Sequence, residues 1–331
     1  MRKLLIAISL ILCTAVCHAA PRTLTDSAQI YLLTCTPGNQ VWSKYGHTAI
    51  RVTDPAQQLD LVFNYGIFNL MADDFYLKFV YGETYYQLGI EKYRYFNAFY
   101  SRIGRVTFSQ QLNLSLQQKQ QIFDALLINY EPANRYYLYN FVFDNCATRP
   151  YYLIQQALQD SIVSTYQGLC GTTFRRAITH YTGKGSWVDF GINLIFGSLA
   201  DQPMTNEQRL FLPEELMWYI SEAHLSDGTP LVLDQHIAAF PPARVPWYAQ
   251  CWWGIALFGV FMLLLSVYDK RRGRLSLGVD VALCIVYLLL LGLVIFLTFF
   301  SCHPLVGFSW RLLLIPAIHL STRLLPFAFR R

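Results

Sequence analysis

The chain has 331 residues, of which 54% are hydrophobic, and its formal net charge is +5. This apolar share is high for a soluble protein and indicates membrane segments. Residues 21–250 carry 16 basic and 19 acidic side chains, so the positive excess lies outside them. The composition therefore excludes a nucleic-acid-binding domain there.

The N-terminus has the pattern of a secretory signal peptide. Arg2 and Lys3 precede an apolar run over residues 4–16, and small residues follow it. The run is short for a spanning helix, so we expect residues 1–20 to be a cleaved signal. An uncleaved N-terminal anchor is the alternative.

Residues 21–246 are predicted to form one α+β domain with an antiparallel sheet. Runs rich in β-branched and aromatic residues predict strands over 30–35, 46–52, 59–65, 85–90 and 105–112. Helical patterns predict helices over 115–130, 145–159, 174–181 and 213–223. The first of these helices begins with Ser115 and Gln118, which can form a capping box.

The last part of the chain, residues 247–331, is predicted to be a membrane region. Apolar runs over about 248–268 and 278–300 can each cross roughly 30 Å of hydrocarbon. The basic loop between them, DKRRGR at 269–274, is predicted to be cytoplasmic, which leaves the preceding domain outside. A third apolar segment, 312–329, contains two prolines and is either a third span or a re-entrant or interfacial segment.

Cys146 is the candidate nucleophile. An aromatic, extended stretch ends at Asp144 and Asn145, and either residue can cap a helix that begins there. Cys146 would then lie in the first turn, where free N–H groups and the helix dipole lower a thiol pKa. The same N–H groups could form part of an oxyanion hole. The alternative is a structural cysteine, although Cys35 and Cys170 suit a structural or disulfide-bonded role better.

His47 is the candidate general base for Cys146, because it begins a predicted strand that would hold its side chain rigidly. Asn64, near the end of the next strand, is predicted to orient the imidazole. Tyr65, Ser43 and Asp144 are alternatives for that role. No His and Cys pair has the spacing of metal ligands, so we expect neither a metal nor another cofactor.

Four motifs carry a resemblance to a known family: SKYGHTAIRV (43–52), FNYGIF (63–68), GETYYQLG (82–89) and DNCATR (144–149). Followed by membrane segments, they resemble the Lnb family of bacterial lipoprotein N-acyltransferases. The order of histidine, polar residue and cysteine also resembles circularly permuted papain-like enzymes, such as lecithin:retinol acyltransferase and certain cell-wall peptidases. The resemblance implies a permuted papain-like fold for the outer domain.

The resemblance further implies a thiol-dependent acyltransferase of the bacterial inner membrane whose catalytic domain faces the periplasm. A fatty acyl group would pass from a phospholipid to Cys146 and then to the N-terminal amine of a diacylated lipoprotein. The lipoprotein's own diacylglycerol is an alternative donor. A membrane-anchored cell-wall cysteine peptidase or amidase, and a non-enzymatic scaffold, are the alternative functions. We expect the substrate to contact several residues of these motifs and one histidine after the second apolar run: Ser43, Tyr45, Tyr65, Tyr86, Asn145, Arg149 and His303.

Overall fold

The computed structural model describes residues 23–159 and 162–309, together with positions 312, 313, 316, 317, 319 and 323. The predicted signal peptide, residues 1–20, lies outside the described residues. Most of the third apolar segment, 312–329, lies outside them as well.

A seven-stranded antiparallel sheet organises the outer domain. Its strands are β1 (Gln29–Cys35), β2 (His47–Asp54), β3 (Leu59–Ile67), β4 (Tyr85–Lys92), β5 (Thr107–Leu112), β6 (Tyr136–Leu138) and β9 (Val232–His236). They lie side by side in the order β6-β4-β3-β2-β1-β5-β9. A separate two-stranded sheet pairs β7 (Val163–Ser164) with β8 (Ala223–His224).

The described part of this domain also has seven helices: α1 (Phe75–Tyr81), α2 (Tyr93–Arg102), α3 (Leu116–Tyr130), α4 (Thr148–Ala157), α5 (Phe174–Thr182), α6 (Trp187–Ile195) and α7 (Pro213–Ser221). The predicted α+β class with an antiparallel sheet is confirmed. The capping box at Ser115 and Gln118 is confirmed too, since each side chain bonds the other residue's backbone N–H. The permuted papain-like assignment stays a prediction.

The two faces of the sheet bury different side chains because successive residues of a strand point in opposite directions. Ile30 and Leu32 of β1 join the main core, which includes residues of α3, α4 and α7. Leu33 and Cys35 point the other way and pack with Phe96 of α2. His47 is paired directly opposite Cys35, so its side chain lies on the α2 face.

Two long helices follow the outer domain: α8 (Cys251–Arg272) and α9 (Leu277–Phe300). Their most apolar windows have mean hydropathies of 2.0 and 2.9, and only 17% and 6% of those windows is buried. A core helix of a soluble protein would be largely buried, whereas these helices expose apolar surface as lipid-facing helices do. The two predicted spans, 248–268 and 278–300, therefore correspond to two helices able to cross a membrane.

Beyond α9, Arg323 bonds Asp269 at 2.6 Å and Asp280 at 2.8 Å. These acids lie beside the basic loop between the two helices. Arg323 thus lies at the loop end of the helix pair, the side predicted to be cytoplasmic.

Candidate active site

His47 is held in one orientation by the neighbouring strand. Its Nε2 lies 2.8 Å from Asn64 Oδ1, and the same oxygen accepts the Gly66 N–H at 2.9 Å. Because a carbonyl oxygen only accepts, the imidazole proton lies on Nε2 and Nδ1 is left as an acceptor. The imidazole thus has the tautomer that a general base acting through Nδ1 requires.

Gly66 explains how β3 makes room for that ring. The pairing of β3 with β4 is irregular between Asn64 and Ile67, where β3 has one extra residue. A β-carbon at Gly66 would lie 2.4 Å from His47 Cε1 and 3.1 Å from Nδ1. Only glycine leaves the imidazole in this position.

Cys146 lies in the turn that leads into α4, and Asn145 shapes this turn. The Asn145 Oδ1 accepts the N–H groups of Ala147 and Thr148 at 2.8 and 3.0 Å. Its Nδ2 donates to the carbonyls of Phe141 and Phe211 at 2.8 and 2.9 Å. Of the two predicted caps, Asn145 is therefore the one that acts, and its buried amide is fully used in positioning the turn rather than left for a substrate.

The environment of the sulfur corrects the predicted thiol pKa. Burial raises the pKa of Cys146 to about 11, against the opposing effects of hydrogen bonds from the backbone N–H groups of Thr48 and Cys146 and of the Arg105 charge. Desolvation of the thiolate outweighs the helix-start effect. The resting sulfur is thus a thiol, and the prediction of a lowered pKa is wrong.

The predicted oxyanion hole also needs correction. The N–H groups of Ala147 and Thr148 are already bonded to Asn145, so the first turn of α4 does not offer them to a substrate. Two other donors near the sulfur are the backbone N–H groups of Cys146 and Thr48.

His47 is neutral at physiological pH. Burial is the main cause that lowers its pKa to about 4, the Arg105 charge lowers it further, and the bond to Asn64 opposes both. Within the described residues no hydrogen bond joins His47 to Cys146, although Thr48, whose N–H reaches the sulfur, follows His47 directly. Catalytic hydrogen bonds are often long in a free enzyme and shorten when substrate binds.

Arg105 and Tyr100 belong to this site but were not predicted from the sequence. The Tyr100 ring stacks beside His47 with centroids 6.1 Å apart, and Arg105 Cζ lies 4.7 Å from the Tyr100 centroid. Arg105 Nε donates to the Thr36 carbonyl, whereas its buried Nη2 has no hydrogen-bond partner among the described residues. A buried cation that forms no ion pair within the part of the chain that the structure describes favours negative charge on a nucleophile near it.

Ser43 and Tyr45 precede His47, and the contacts that they make are with residues other than His47 and Cys146. Ser43 Oγ donates to the Gln40 carbonyl at 3.0 Å. The Tyr45 ring packs on Phe141 and Tyr181, with centroids 4.7 and 6.0 Å away. These contacts give Tyr45 a packing role against a further hydrophobic cluster that includes Phe174, Tyr181 and Phe211.

Tyr65 and Arg149 are also engaged elsewhere. Tyr65 is 1% exposed in the main core, and its hydroxyl accepts a bond from Asn129. Arg149 holds Asp144 through two bonds of 2.6 and 2.7 Å and covers the Tyr137 ring at 3.6 Å. Since Asp144 pairs with Arg149, Asn64 rather than Asp144 or Tyr65 is the partner of His47.

His303 lies at the membrane end rather than at His47, and its Nε2 bonds the Phe79 carbonyl at 2.7 Å. Tyr86 stacks on Tyr139 with centroids 4.0 Å apart.

Cys35 and Cys170 are free thiols, so they are not disulfide-bonded. Burial is the main cause that raises the pKa of Cys35 to about 12. Cys35 therefore stays protonated and lines the site without reacting.

Comparison with known proteins bears on the half of the chain that carries this site. Residues 21–177 match the family model of the Lnb N-terminal periplasmic domain, a range that includes His47, Asn64 and Cys146. No curated protein and no solved structure matches the chain.

Proposed function

Because residues 21–177 make this chain a member of the Lnb family, we propose that it is a lipoprotein N-acyltransferase of the inner membrane. The proposal is supported most directly by one arrangement. Cys146 accepts the N–H of Thr48, beside a His47 whose tautomer is fixed by Asn64. The predicted papain-like relationship is part of this proposal.

In the first half-reaction His47 Nδ1 takes the thiol proton while Cys146 attacks an ester carbonyl of a phospholipid. A carbon–sulfur bond forms, the ester carbon–oxygen bond breaks, and the imidazolium returns its proton to the departing lysolipid hydroxyl. A neutral imidazole and a protonated thiol suit this general-base route, in which both groups start uncharged.

In the second half-reaction the N-terminal amine of a diacylated lipoprotein attacks the thioester. A carbon–nitrogen bond forms, the carbon–sulfur bond breaks, and the amine proton passes through His47 back to the sulfur. The periplasmic domain and the two apolar helices support this choice of substrates, since both are lipids held at a membrane surface.

The test is complementation in a bacterium that lacks its own lipoprotein N-acyltransferase. Mass spectrometry of lipoprotein N-termini should find an N-acyl group with the wild type and with Cys170→Ala, and none with Cys146→Ala. Cys170 is a suitable control because it is a free, partly exposed thiol. Equal N-acylation by wild type and Cys146→Ala would refute the thiol mechanism.

The same spectra identify the donor. Transfer from a phospholipid gives a lipoprotein with three acyl chains, whereas transfer from its own diacylglycerol leaves two, one of them moved to nitrogen. Absence of N-acylation combined with altered peptidoglycan would instead support a cell-wall hydrolase.

A further inference from the structure

Helix α1 exposes apolar side chains to an unusual degree. Tyr76, Leu77 and Phe79 are 72%, 62% and 52% exposed, and Met71 just before the helix is 88% exposed. A cluster of exposed apolar side chains of this kind marks a surface that meets a partner or a lipid phase.

The position of α1 identifies that phase. The Tyr81 ring lies 5.3 Å from the Phe296 ring of α9, and the Tyr81 carbonyl accepts the Cys302 N–H at 2.8 Å. His303 completes the contact through the Phe79 carbonyl. Since Cys302 and His303 follow directly after α9, α1 lies where that helix reaches the periplasmic surface of the inner membrane.

From α1 a row of aromatic rings, here called the aromatic row, leads into the outer domain. Phe79, Phe75, Phe68, Tyr86 and Tyr139 stack in that order. Their successive centroid distances are 6.3, 5.8, 4.6 and 4.0 Å, and each interplanar angle is about 20° (22°, 22°, 21° and 18°). Phe79 is exposed and the other four residues each keep part of their surface exposed.

The inner end of the aromatic row is close to Cys146. The loop after Tyr139 is closed by two backbone bonds between Asn140 and Asp144, of 2.9 and 3.0 Å, and leads directly to the cysteine. Burial raises the pKa of Tyr86 and Tyr139, and negative charge on the Cys146 sulfur raises both further, so the two rings lie within electrostatic range of that sulfur.

We propose that the aromatic row is the binding path for a fatty acyl chain, which enters from the outer leaflet beside α9 and reaches Cys146 at Tyr139. This rests on the proposed function and adds the site of the donor chain. Because the rings stack, their faces cover one another and their edges face outward, and a row of such edges presents an apolar strip with few rotamers to fix, which suits a flexible chain. The exposed side of α1 is seated in the lipid interface.

A photolabelling experiment tests the path without requiring catalysis. Full-length Cys146→Ala protein is placed in phosphatidylcholine vesicles that contain a phospholipid with a diazirine on one acyl chain. We expect labelled peptides around Tyr86 and Tyr139 as well as on α8 and α9. Adding Phe68→Ala should lower the inner labels by at least about tenfold, while labels on the two spans stay constant.

Two matched variants guard this experiment. Tyr95→Ala removes an exposed ring (55%) outside the row and should leave the inner labels unchanged. Phe68→Leu keeps an apolar side chain of similar size and should retain most of the inner labels. It replaces Phe68→Ala in the comparison if that variant misfolds. Labels confined to α8 and α9, or equal inner labels in the Phe68→Ala and Tyr95→Ala proteins, would overturn the path. An unlipidated lipoprotein peptide can be added as a competitor. If it abolishes the labels around Tyr86 and Tyr139, the row binds peptide and the proposed acyl path is overturned as well.

A kinetic experiment on the protein with an intact Cys146 separates chain binding from general damage. Thioester formation is followed by intact mass with p-nitrophenyl palmitate and p-nitrophenyl butyrate. Phe68→Ala should slow the palmitate reaction by about tenfold and the butyrate reaction by less than about twofold. Equal slowing of both would assign Phe68 a structural role. Failure of lipoprotein N-acylation with the inner labels intact would refute the proposed function and leave the acyl path standing.

Discussion

Gly66 lies so close to His47 that a methyl group on its α-carbon would displace the imidazole. The β-carbon of any other residue at position 66 would lie 2.4 Å from His47 Cε1, well inside van der Waals contact. The backbone N–H of the same glycine shares the Asn64 oxygen with the imidazole. The irregular end of β3 thus fixes both the position and the tautomer of the base.

We expect Gly66→Ala to lower acyl transfer by about a hundredfold, because a displacement of the base by about 1 Å has an effect of that size. The measurement is the rate of N-acylation of a diacylated lipoprotein by the solubilised protein. Gly191→Ala is the control, since a β-carbon there meets nothing within 4 Å. Equal rates for the two variants would show that His47 need not occupy its observed position.

The pH dependence of the reaction should show whether Asn64 acts through its hydrogen bond to His47 or only through packing. Asn64→Ala removes the acceptor for Nε2, so we expect a rate about tenfold to a hundredfold lower. Asn64→Asp instead places a carboxylate beside the imidazole and should raise the pKa of His47 above its value of about 4. The acid limb of the pH–rate profile should then move to higher pH, and an unmoved limb would contradict the contact.

The contact of His47 with Asn64 and the place of Cys146 before a helix could be predicted because each residue has a local signature. His47 opens a β-branched strand, Asn64 lies near the end of the strand that follows, and Cys146 follows a capping residue before a helical pattern. Such features depend on a few neighbouring residues. The same is true of the two apolar helices, whose length and composition suffice.

Arg105 could not be predicted, because it reaches the site through strand pairing. Its Nε bonds the carbonyl of Thr36, 69 positions earlier in the chain, where β1 and β5 lie side by side. The thiol pKa was mispredicted for a related reason. A helix start is visible in the sequence, but the burial of Cys146 depends on the whole fold.

Helix α1 was missed because it lacks the one-sided pattern of a helix on a soluble domain. Phe75 and Tyr81 face protein, whereas Tyr76, Leu77 and Phe79 are exposed. A helix with apolar residues on both sides shows no period of 3.6 between apolar and polar positions. The lipid phase that the exposed side of α1 meets becomes evident only from the contact of α1 with α9.

Asn145 should behave as a positioning residue for Cys146 rather than as a substrate contact. Asn145→Ala removes the cap of α4 and leaves the Phe141 and Phe211 carbonyls without their donor. We expect a loss of roughly 2–4 kcal/mol in unfolding free energy and a changed rate of Cys146 alkylation without any substrate. Asn113→Ala, which loses one exposed bond to Pro230, is the control. An unchanged melting temperature together with a raised KM would favour substrate contact.

His47 should make the fold sensitive to acid. Its pKa is about 4 in the folded protein and 6.5 in the unfolded chain, so the unfolded chain binds more protons between these values. Stability is therefore lost as pH falls from about 6.5 to 4, by up to about 3 kcal/mol from this group. The measurement is the melting temperature against pH for wild type and His47→Gln. The variant should lose less stability over this interval, and parallel curves would contradict the low pKa.

Arg105 should act on the nucleophile through its charge. The guanidinium lowers the pKa of both Cys146 and His47, so Arg105→Met should raise both. Below its pKa the thiol loses tenfold in thiolate for each unit of increase, so iodoacetamide should alkylate Cys146 about threefold to tenfold more slowly at pH 8. The acid limb of acyl transfer should also move upward as His47 becomes easier to protonate. Arg105→Lys should restore part of both effects because it keeps the charge, whereas the exposed Arg102→Met should cause neither. If Arg105→Met alkylates at the wild-type rate while its melting temperature falls, the buried cation serves the fold and not the thiol.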